Sequence, residues 1–334
     1  MGIPLKQAVT VGKYVVAQRL RGRKRFPLVL MLEPLYRCNL ACAGCGKIQH
    51  PTEILRRHLS PAQCLAAAEE CGAPVVSVAG GEPLLHPEIG EIARGLLAQG
   101  RIVYLCTNGI LLEEKLGLFR PDDGFNLNVH LDGDEQHHDA SVQRAGVYRA
   151  AVAAIRAAKA RGFRVTVNCT IFLGHDPAAL HRFFDDVTAL GVDGIMLAPG
   201  YAYERAPDQA HFLHRQQTRA LLREVLRPAA KRGWKFNHSP LYLDFLAGDV
   251  EYQCTPWGSP SYGVFGWQRP CYLMADGHVP TFEELMRTTD WDRYGAGRDP
   301  RCADCMMHCG YEPTAVEDGM TSIGKAFRSI RSIF

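Results

Sequence analysis

Six short apolar runs punctuate the first two-thirds of the chain: PLVLMLEP (27–34), PVVSVAG (74–80), RIVYLCTNG (101–109), FNLNVHLDG (125–133), RVTVNCTIF (164–172) and DGIMLAPG (193–200). Their nearly continuous apolar character predicts strands covered on both faces. Ala/Leu-rich segments of helical period lie between most of them, at 60–71, 87–98, 146–161 and 177–190, with a further helix over 211–231. Alternating strands and helices predict a parallel sheet of the α/β class, either doubly wound or a partial (β/α)6 TIM-like barrel. In both, chemistry collects at the C-terminal strand ends. Here those ends read EPLYRCNLACAGC, AGGEP, CTNG, HLDG, NCT and APG.

After about residue 235 the alternation fades into a stretch rich in aromatics, Gly, Pro and Cys. The predicted division is therefore a basic amphipathic segment (1–26), the barrel (27–235), a small cysteine-rich C-terminal domain (236–315) and a basic, apolar tail (316–334). The chain has 334 residues, 47% hydrophobic and 22% charged, which supports a sizeable core and excludes a disordered chain. No apolar run approaches the ~18 residues of a membrane span, and no signal-peptide pattern opens the chain. A cytoplasmic protein is expected.

The net charge of +3 hides an asymmetry: residues 1–32 hold seven Lys or Arg and no acid, and 321–334 add Lys325, Arg328 and Arg331, again without acid. Leu5, Val9, Val16 and Leu20 fall near one helical face among the N-terminal basic residues, and Phe327, Ile330 and Phe334 have helical spacing at the other end. Basic amphipathic segments bind anionic lipid surfaces, so peripheral attachment at the inner face of a membrane is expected. The alternatives are a helix docked on the core, a solvated charge run or an RNA contact; nucleic acid is not the expected partner.

Twelve cysteines without a secretory signal favour metal or redox chemistry over a disulfide framework. Cys38-x3-Cys42-x2-Cys45 presents three thiolates from one loop after the first strand. Three local ligands suit an iron–sulfur cluster with one iron left open, and a zinc site completed by a distant residue is the alternative. Cys302-x2-Cys305-x3-Cys309, with Cys254 and Cys271, forms a second candidate set for a [4Fe–4S] cluster or a zinc ion. His308 is read as a neighbour of these ligands. Cys64 and Cys71 read as core residues of the first helix of the barrel.

C-x3-C-x2-C after the first strand, paired with AGGEP (79–83) after the second, resembles the radical S-adenosylmethionine (SAM) superfamily. The resemblance implies that Cys38, Cys42 and Cys45 hold a [4Fe–4S] cluster whose fourth iron chelates SAM. It also implies that Gly80, Gly81, Glu82 and Pro83 line the SAM amino group, the glycines permitting close backbone approach. By position at strand ends, Thr107, Asn108, His130 and Asn168 are further candidate SAM contacts, each with the alternative of closing a strand. One departure stands out: Gly44 occupies the position before the third cysteine, where the superfamily usually carries an aromatic residue that packs on adenine.

A closer resemblance covers nearly the whole chain. RGRKRFPLVLMLEPLYRCNLACAGCGKIQHP (21–51), ECGAPVVSVAGGEPLLHPEI (70–89), VHLDG with HDASV (129–142), PGYAYERAPDQ (199–209), CTPWGSPSYGVFGWQRPCY (254–272) and CADCMMHCGYEPTA (302–315) are similar to the adenosylhopane synthase family of hopanoid biosynthesis. That resemblance implies addition of the 5′-deoxyadenosyl radical of SAM to the alkene of diploptene, a hopene, with electrons from a donor such as flavodoxin or ferredoxin. The tertiary carbon radical left by addition must gain a hydrogen atom. Cys106, at the end of the third strand, is the best-placed thiol donor outside the clusters and Cys169 the second; a small buried hydrophobe is the plain alternative. Tyr201, Tyr203, Trp257, Phe265 and Trp267 are candidates for a hydrocarbon pocket or for interdomain packing. Two other functions fit parts of the pattern: hydrogen abstraction from a peptide or other small molecule, and a non-catalytic metal scaffold binding RNA.

Overall fold

In a computed structural model, which describes residues 3–321 and Lys325, all six expected strands form. They are β1 (Val29–Glu33), β2 (Val75–Val78), β3 (Ile102–Thr107), β4 (Phe125–His130), β5 (Arg164–Ile171) and β6 (Gly194–Pro199). Each pairs in parallel with its neighbour in chain order. The helices Pro61–Cys71, Ile89–Ala98, Val147–Ala160 and Pro177–Ala189 pack against one side of this sheet. Leu30, Val76, Leu105, Leu127 and Val167 face them, each fully buried. Burying a Val or Leu in this way contributes roughly 1.5–3 kcal/mol. Cys64 and Cys71 are buried in the same layer.

The other side of the sheet is different. Successive strand residues point to opposite faces, and the positions between the apolar ones carry Ser77, Cys106, Asn126, Asn128, His130, Thr166 and Asn168. The runs are thus apolar outward and polar inward, as in a half-closed barrel with a chemical interior. The helix Pro61–Cys71 begins at a capping box: the Gln63 amide donates to Ser60 Oγ at 3.3 Å and the Ser60 amide to Gln63 Oε1 at 2.8 Å. Helix formation over 211–231 is interrupted: one helix covers Arg215–Leu226 and a short one Ala229–Arg232, with Pro228 between them.

The cysteine-rich region is more ordered than its Gly/Pro-rich sequence predicts. It supplies β7 (Ser261–Gly263), parallel to β1, then β8 (Gly266–Cys271) and β9 (Met274–Val279) as an antiparallel extension. Among the described residues the sheet therefore has nine strands in the order β6-β5-β4-β3-β2-β1-β7-β8-β9. Within region 236–315, β7, β8 and β9 extend the barrel sheet beyond β1. The boundary expected at 316 falls inside the helix His308–Gly319. Phe327, Arg328, Ile330, Arg331 and Phe334 lie outside the described residues.

The N-terminal segment is a helix, Leu5–Leu20, beneath the N-terminal ends of the strands. Gln7 enters the barrel floor, donating to Asn126 Oδ1 at 3.3 Å and accepting from the Tyr104 hydroxyl at 3.0 Å. Val15 packs on Phe26 and Leu28. The opposite face keeps Leu5, Val9, Val16 and Leu20 at 50, 44, 44 and 84% exposure. The helix is core-docked on one side and apolar to solvent on the other. No described helix is long and apolar enough to cross a membrane.

Candidate active site

The C-terminal ends of the strands open into a chamber of about 300 Å³. Cys38, Cys42 and Cys45 line it from the loop after β1, and Gly80, Gly81 and Glu82 from the loop after β2. Cys106, Thr107, Asn108, His130 and Asn168 border the same space. Pro83 does not; it is buried at the start of a short 3-10 turn. Residues spread over 131 positions, from Cys38 to Asn168, are gathered here because every parallel strand delivers its C-terminal end to one side.

Loop packing leaves no room for a side chain at either glycine. A Cβ at Gly80 would strike the Leu35 carbonyl oxygen, and one at Gly81 the Arg37 carbonyl oxygen. Gly80 also has φ of +106°. With no side chains between them, the Gly81 amide donates to Leu35 O at 3.0 Å and the Glu82 amide to Arg37 O at 2.9 Å. The glycines thus press the second loop against the backbone that leads into Cys38, as well as lining the chamber.

Glu82 is almost wholly buried and acts as a clamp. Its carboxylate accepts from the Leu84 amide at 3.0 Å, the Thr107 hydroxyl at 2.8 Å and the Asn108 amide at 2.8 Å. Burial raises its pKa, against the lowering effect of these donors. The Thr107 hydroxyl is committed to this clamp. Asn108 reaches the cysteine loop, donating from Nδ2 to Asn39 Oδ1 at 2.7 Å, and that amide nitrogen lies 3.9 Å from Cys38 Sγ.

His130 is held by Asp132, Nε2 to Oδ1 at 2.8 Å. Burial opposes a charged imidazole, but the Asp132 carboxylate outweighs it and raises the His130 pKa. The Asp132 pKa is lowered although burial pushes it upward, because His130 sits against it. Asp132 also accepts from the Thr170 amide and the Ser141 hydroxyl, and its own amide donates to His138 Nδ1. His130, Asp132 and His138 come close enough to hold an ion. His130 Nε2 and the Asp132 carboxylate are engaged with one another, and His138 Nδ1 accepts from the Asp132 amide, while His138 Nε2 is buried without a hydrogen-bond partner. Asp132 escaped the sequence reading, though its place two residues after His130 is the signal that could have found it.

Cys106 faces the chamber, with Sγ 3.4 Å from Ser77 Oγ and 3.5 Å from Asn128 Nδ2. Burial raises its pKa, so the sulfur stays a thiol. Cys169 is fully buried on the outward face of β5, away from the chamber. Its neighbour Asn168 points inward, and adjacent strand residues cannot share a face. Of the aromatic candidates, Tyr201 and Tyr203 border the chamber. Trp257 packs on Trp291, Phe265 on Tyr36 and Trp267 on Tyr262, so these three serve packing.

Gly44 has a counterpart the sequence did not reveal. A Cβ there would lie 3.1 Å from the Phe172 ring, which enters from the end of β5 and is itself backed by His211 at 4.1 Å between ring centroids. An aromatic surface does stand beside the third cysteine, contributed by another strand. A larger residue at 44 would collide with it.

All twelve cysteines are free thiols. Cys38, Cys42 and Cys45 line one chamber that has room beside them.

Residues 32–187 match the family model of the radical SAM superfamily. This barrel is a radical SAM domain. Residues 195–329 match a domain of unknown function, DUF3463. The chain is 28% identical over 163 residues to GTP 3′,8-cyclase 1 of Mycobacterium tuberculosis, covering 45% of each chain. It is 27% identical over 205 residues to pre-heme d1 synthase of Dinoroseobacter shibae, covering 59% of this chain and 50% of the relative. The chain thus spans about half the length of the curated relatives it matches. Among solved structures, anSMEcpe with bound AdoMet superposes with a TM-score of 0.61 at 15% identity, over 92% of this chain and 96% of that one. SuiB of Streptococcus suis bound to S-adenosylmethionine also gives 0.61 at 15% identity, over 75% and 61%. At such identities the likeness concerns the fold. Radical SAM domains use a [4Fe–4S] cluster and SAM, and the three-cysteine loop with its adjoining glycine loop fits both.

Proposed function

We propose that this protein is a radical SAM transferase that joins the 5′-deoxyadenosyl group of SAM to the alkene of diploptene, forming adenosylhopane. The observation that carries the reading is the place of Cys106, whose side chain lines the same chamber as the three cluster cysteines. The whole-chain resemblance to the adenosylhopane synthase family supplies the substrate. Cys38, Cys42 and Cys45 would hold the cluster, with an external donor such as flavodoxin or ferredoxin as the electron source. Bound and reduced, the cluster supplies the electron that cleaves SAM to methionine and a 5′-deoxyadenosyl radical.

The chain's own residues do the rest. Gly80, Gly81, Asn108, His130 and Asn168 border the space for SAM, and Glu82 and Asp132 keep that border rigid. Phe172 offers its ring to the adenine in place of an aromatic residue at 44. Met31, Ile48, Met196, Phe212 and Met307 give the chamber the apolar walls a triterpene needs. Addition of the adenosyl carbon to the terminal alkene carbon leaves a tertiary carbon radical. Cys106 then gives that carbon its S–H hydrogen atom and becomes a thiyl radical, which one electron from the donor and one proton return to the thiol.

The test is an anaerobic reaction of the iron-reconstituted protein with SAM, reductant and solubilised diploptene, read by mass spectrometry. A product of hopene plus the deoxyadenosyl group and one hydrogen is expected. Free 5′-deoxyadenosine alone would point to hydrogen abstraction from a peptide or other small molecule. Cys106→Ala is expected to go on cleaving SAM while losing the rate or stereochemistry of quenching; unchanged values for both would remove Cys106 from the mechanism.

The same reading places the protein peripherally at the inner face of a membrane. The outward stripe of Leu5, Val9, Val16 and Leu20 is flanked by the exposed Lys6, Lys13 and Arg19. Each basic residue near an anionic surface contributes about 1 kcal/mol. Because this helix lies below the barrel, opposite the chamber mouth, it acts as a tether rather than an entrance. Vesicles containing anionic lipid should co-sediment the protein, neutral vesicles much less, and Val9→Glu with Val16→Glu should abolish the difference. Equal binding to both vesicle types would refute the tether.

A further inference from the structure

A second, small cavity lies in the region of unknown function, and five cysteines line it: Cys254, Cys271, Cys302, Cys305 and Cys309. They arrive from four separate stretches of chain: the loop before β7, the end of β8, the turn Pro300–Cys302 with the loop after it, and the helix His308–Gly319. The remaining wall is made of Tyr201, Tyr294, Tyr311, Leu273, Met274 and a few small residues, with no charged side chain. Cysteines acting as small hydrophobes fill space; these surround it. None is paired in a disulfide.

We propose that four of these five cysteines hold a second [4Fe–4S] cluster. The donor set suits it: five thiols from four chain segments line one space whose wall carries no charged side chain, beside a chamber that also holds three cysteines. Five available thiols mean that every iron can have a cysteine ligand. This cluster has no open iron and does not bind SAM; it is an electron carrier.

Its position suits that role. Tyr201 borders both cavities, so the two spaces share a wall. Cys271 lines the second cavity while the next residue, Tyr272, lines the catalytic chamber. The Tyr272 carbonyl accepts from Lys47 Nζ at 2.7 Å, and Lys47 lies two residues beyond Cys45. Lys47 is also paired with the fully buried Glu33 at 3.1 Å and stands 3.9 Å from the Tyr272 ring centroid. A hydrogen-bonded, buried link thus joins a ligand segment of one cluster to a ligand segment of the other. On the reading above, the electron that restores the Cys106 thiyl would leave the second cluster in its reduced form and be replaced by the flavodoxin- or ferredoxin-type donor.

The deciding experiment uses the full chain with Cys38, Cys42 and Cys45 all replaced by Ala, reconstituted anaerobically with iron and sulfide. About four irons and four sulfides per chain are expected, with the Mössbauer spectrum of a [4Fe–4S] cluster. Its reduced EPR signal should not change on adding SAM. One zinc per chain with no iron, or no metal at all in a protein with unchanged circular dichroism, would overturn the proposal. If the triple variant does not fold, the intact chain decides by the same measurement: about eight irons support the second cluster and about four refute it. None of these readings depends on the hopene reaction, so either proposal can fail alone.

Discussion

Cys42→Ala should yield a folded protein that carries about four fewer irons per chain than the parent and cleaves SAM only at background. Cys42 belongs to a loop fastened from outside itself: the Ala43 amide donates to Ser141 O, and Asn39 accepts from Asn108. The loop's conformation therefore does not depend on the Cys42 side chain, and the loss falls on the cluster. Iron content with circular dichroism checks the first half, and methionine and 5′-deoxyadenosine release the second. SAM cleavage near the parental rate would exclude Cys42 as a ligand. Cys64→Ala is the control. Its thiol is buried between helix and sheet, so it should cost some stability and leave iron content and SAM cleavage unchanged.

Gly81→Ala should be nearly as damaging, although it removes no ligand and adds one methyl group. The new Cβ would overlap the Arg37 carbonyl oxygen, with the Arg37 carbonyl carbon at 2.5 Å and Tyr36 O at 2.6 Å. These are backbone atoms and cannot swing aside as a side chain would. Relief requires parting the two loops, which breaks the Glu82 amide bond to Arg37 O and shifts the backbone entering Cys38. Overpacking of this kind costs about 1–3 kcal/mol, sometimes more. The expected result is a lower melting temperature together with at least a partial loss of cluster iron. Gly72→Ala is the contrast, because a Cβ there meets nothing within 4 Å; its φ of +69° costs stability alone. A Gly81→Ala protein with full iron and parental stability would show that the loops are not locked together here.

Much of this site can be read along the chain for a physical reason. A parallel barrel delivers every strand's C-terminal end to one side, so Cys38, Gly80, Cys106, His130 and Asn168 each advertise themselves merely by following an apolar run. The inward polar positions are visible too: Asn126, Asn128 and His130 alternate with Leu127 and Val129 along β4. The same alternation distinguishes Asn168 from Cys169, since neighbours on a strand cannot both face inward. β7 to β9 were harder. Gly, Pro and Cys dilute the apolar pattern in GVFGWQRPCY, and these strands exist because the exposed edge of β1 offers them a partner.

By itself the sequence determined the six β-α units, the three-cysteine loop beside its glycine loop, and a second group of thiols at ligand spacing. These are local properties, carried by hydrophobic period and residue spacing. Only the tertiary structure decided which groups meet. Phe172 occupies the space Gly44 leaves open, and Asp132 braces His130. The Glu82 carboxylate turns toward Thr107 and Asn108, and Cys254 and Cys271 join Cys302, Cys305 and Cys309 around one cavity. Such pairings link residues far apart in the chain through packing and hydrogen bonds, which no local pattern encodes.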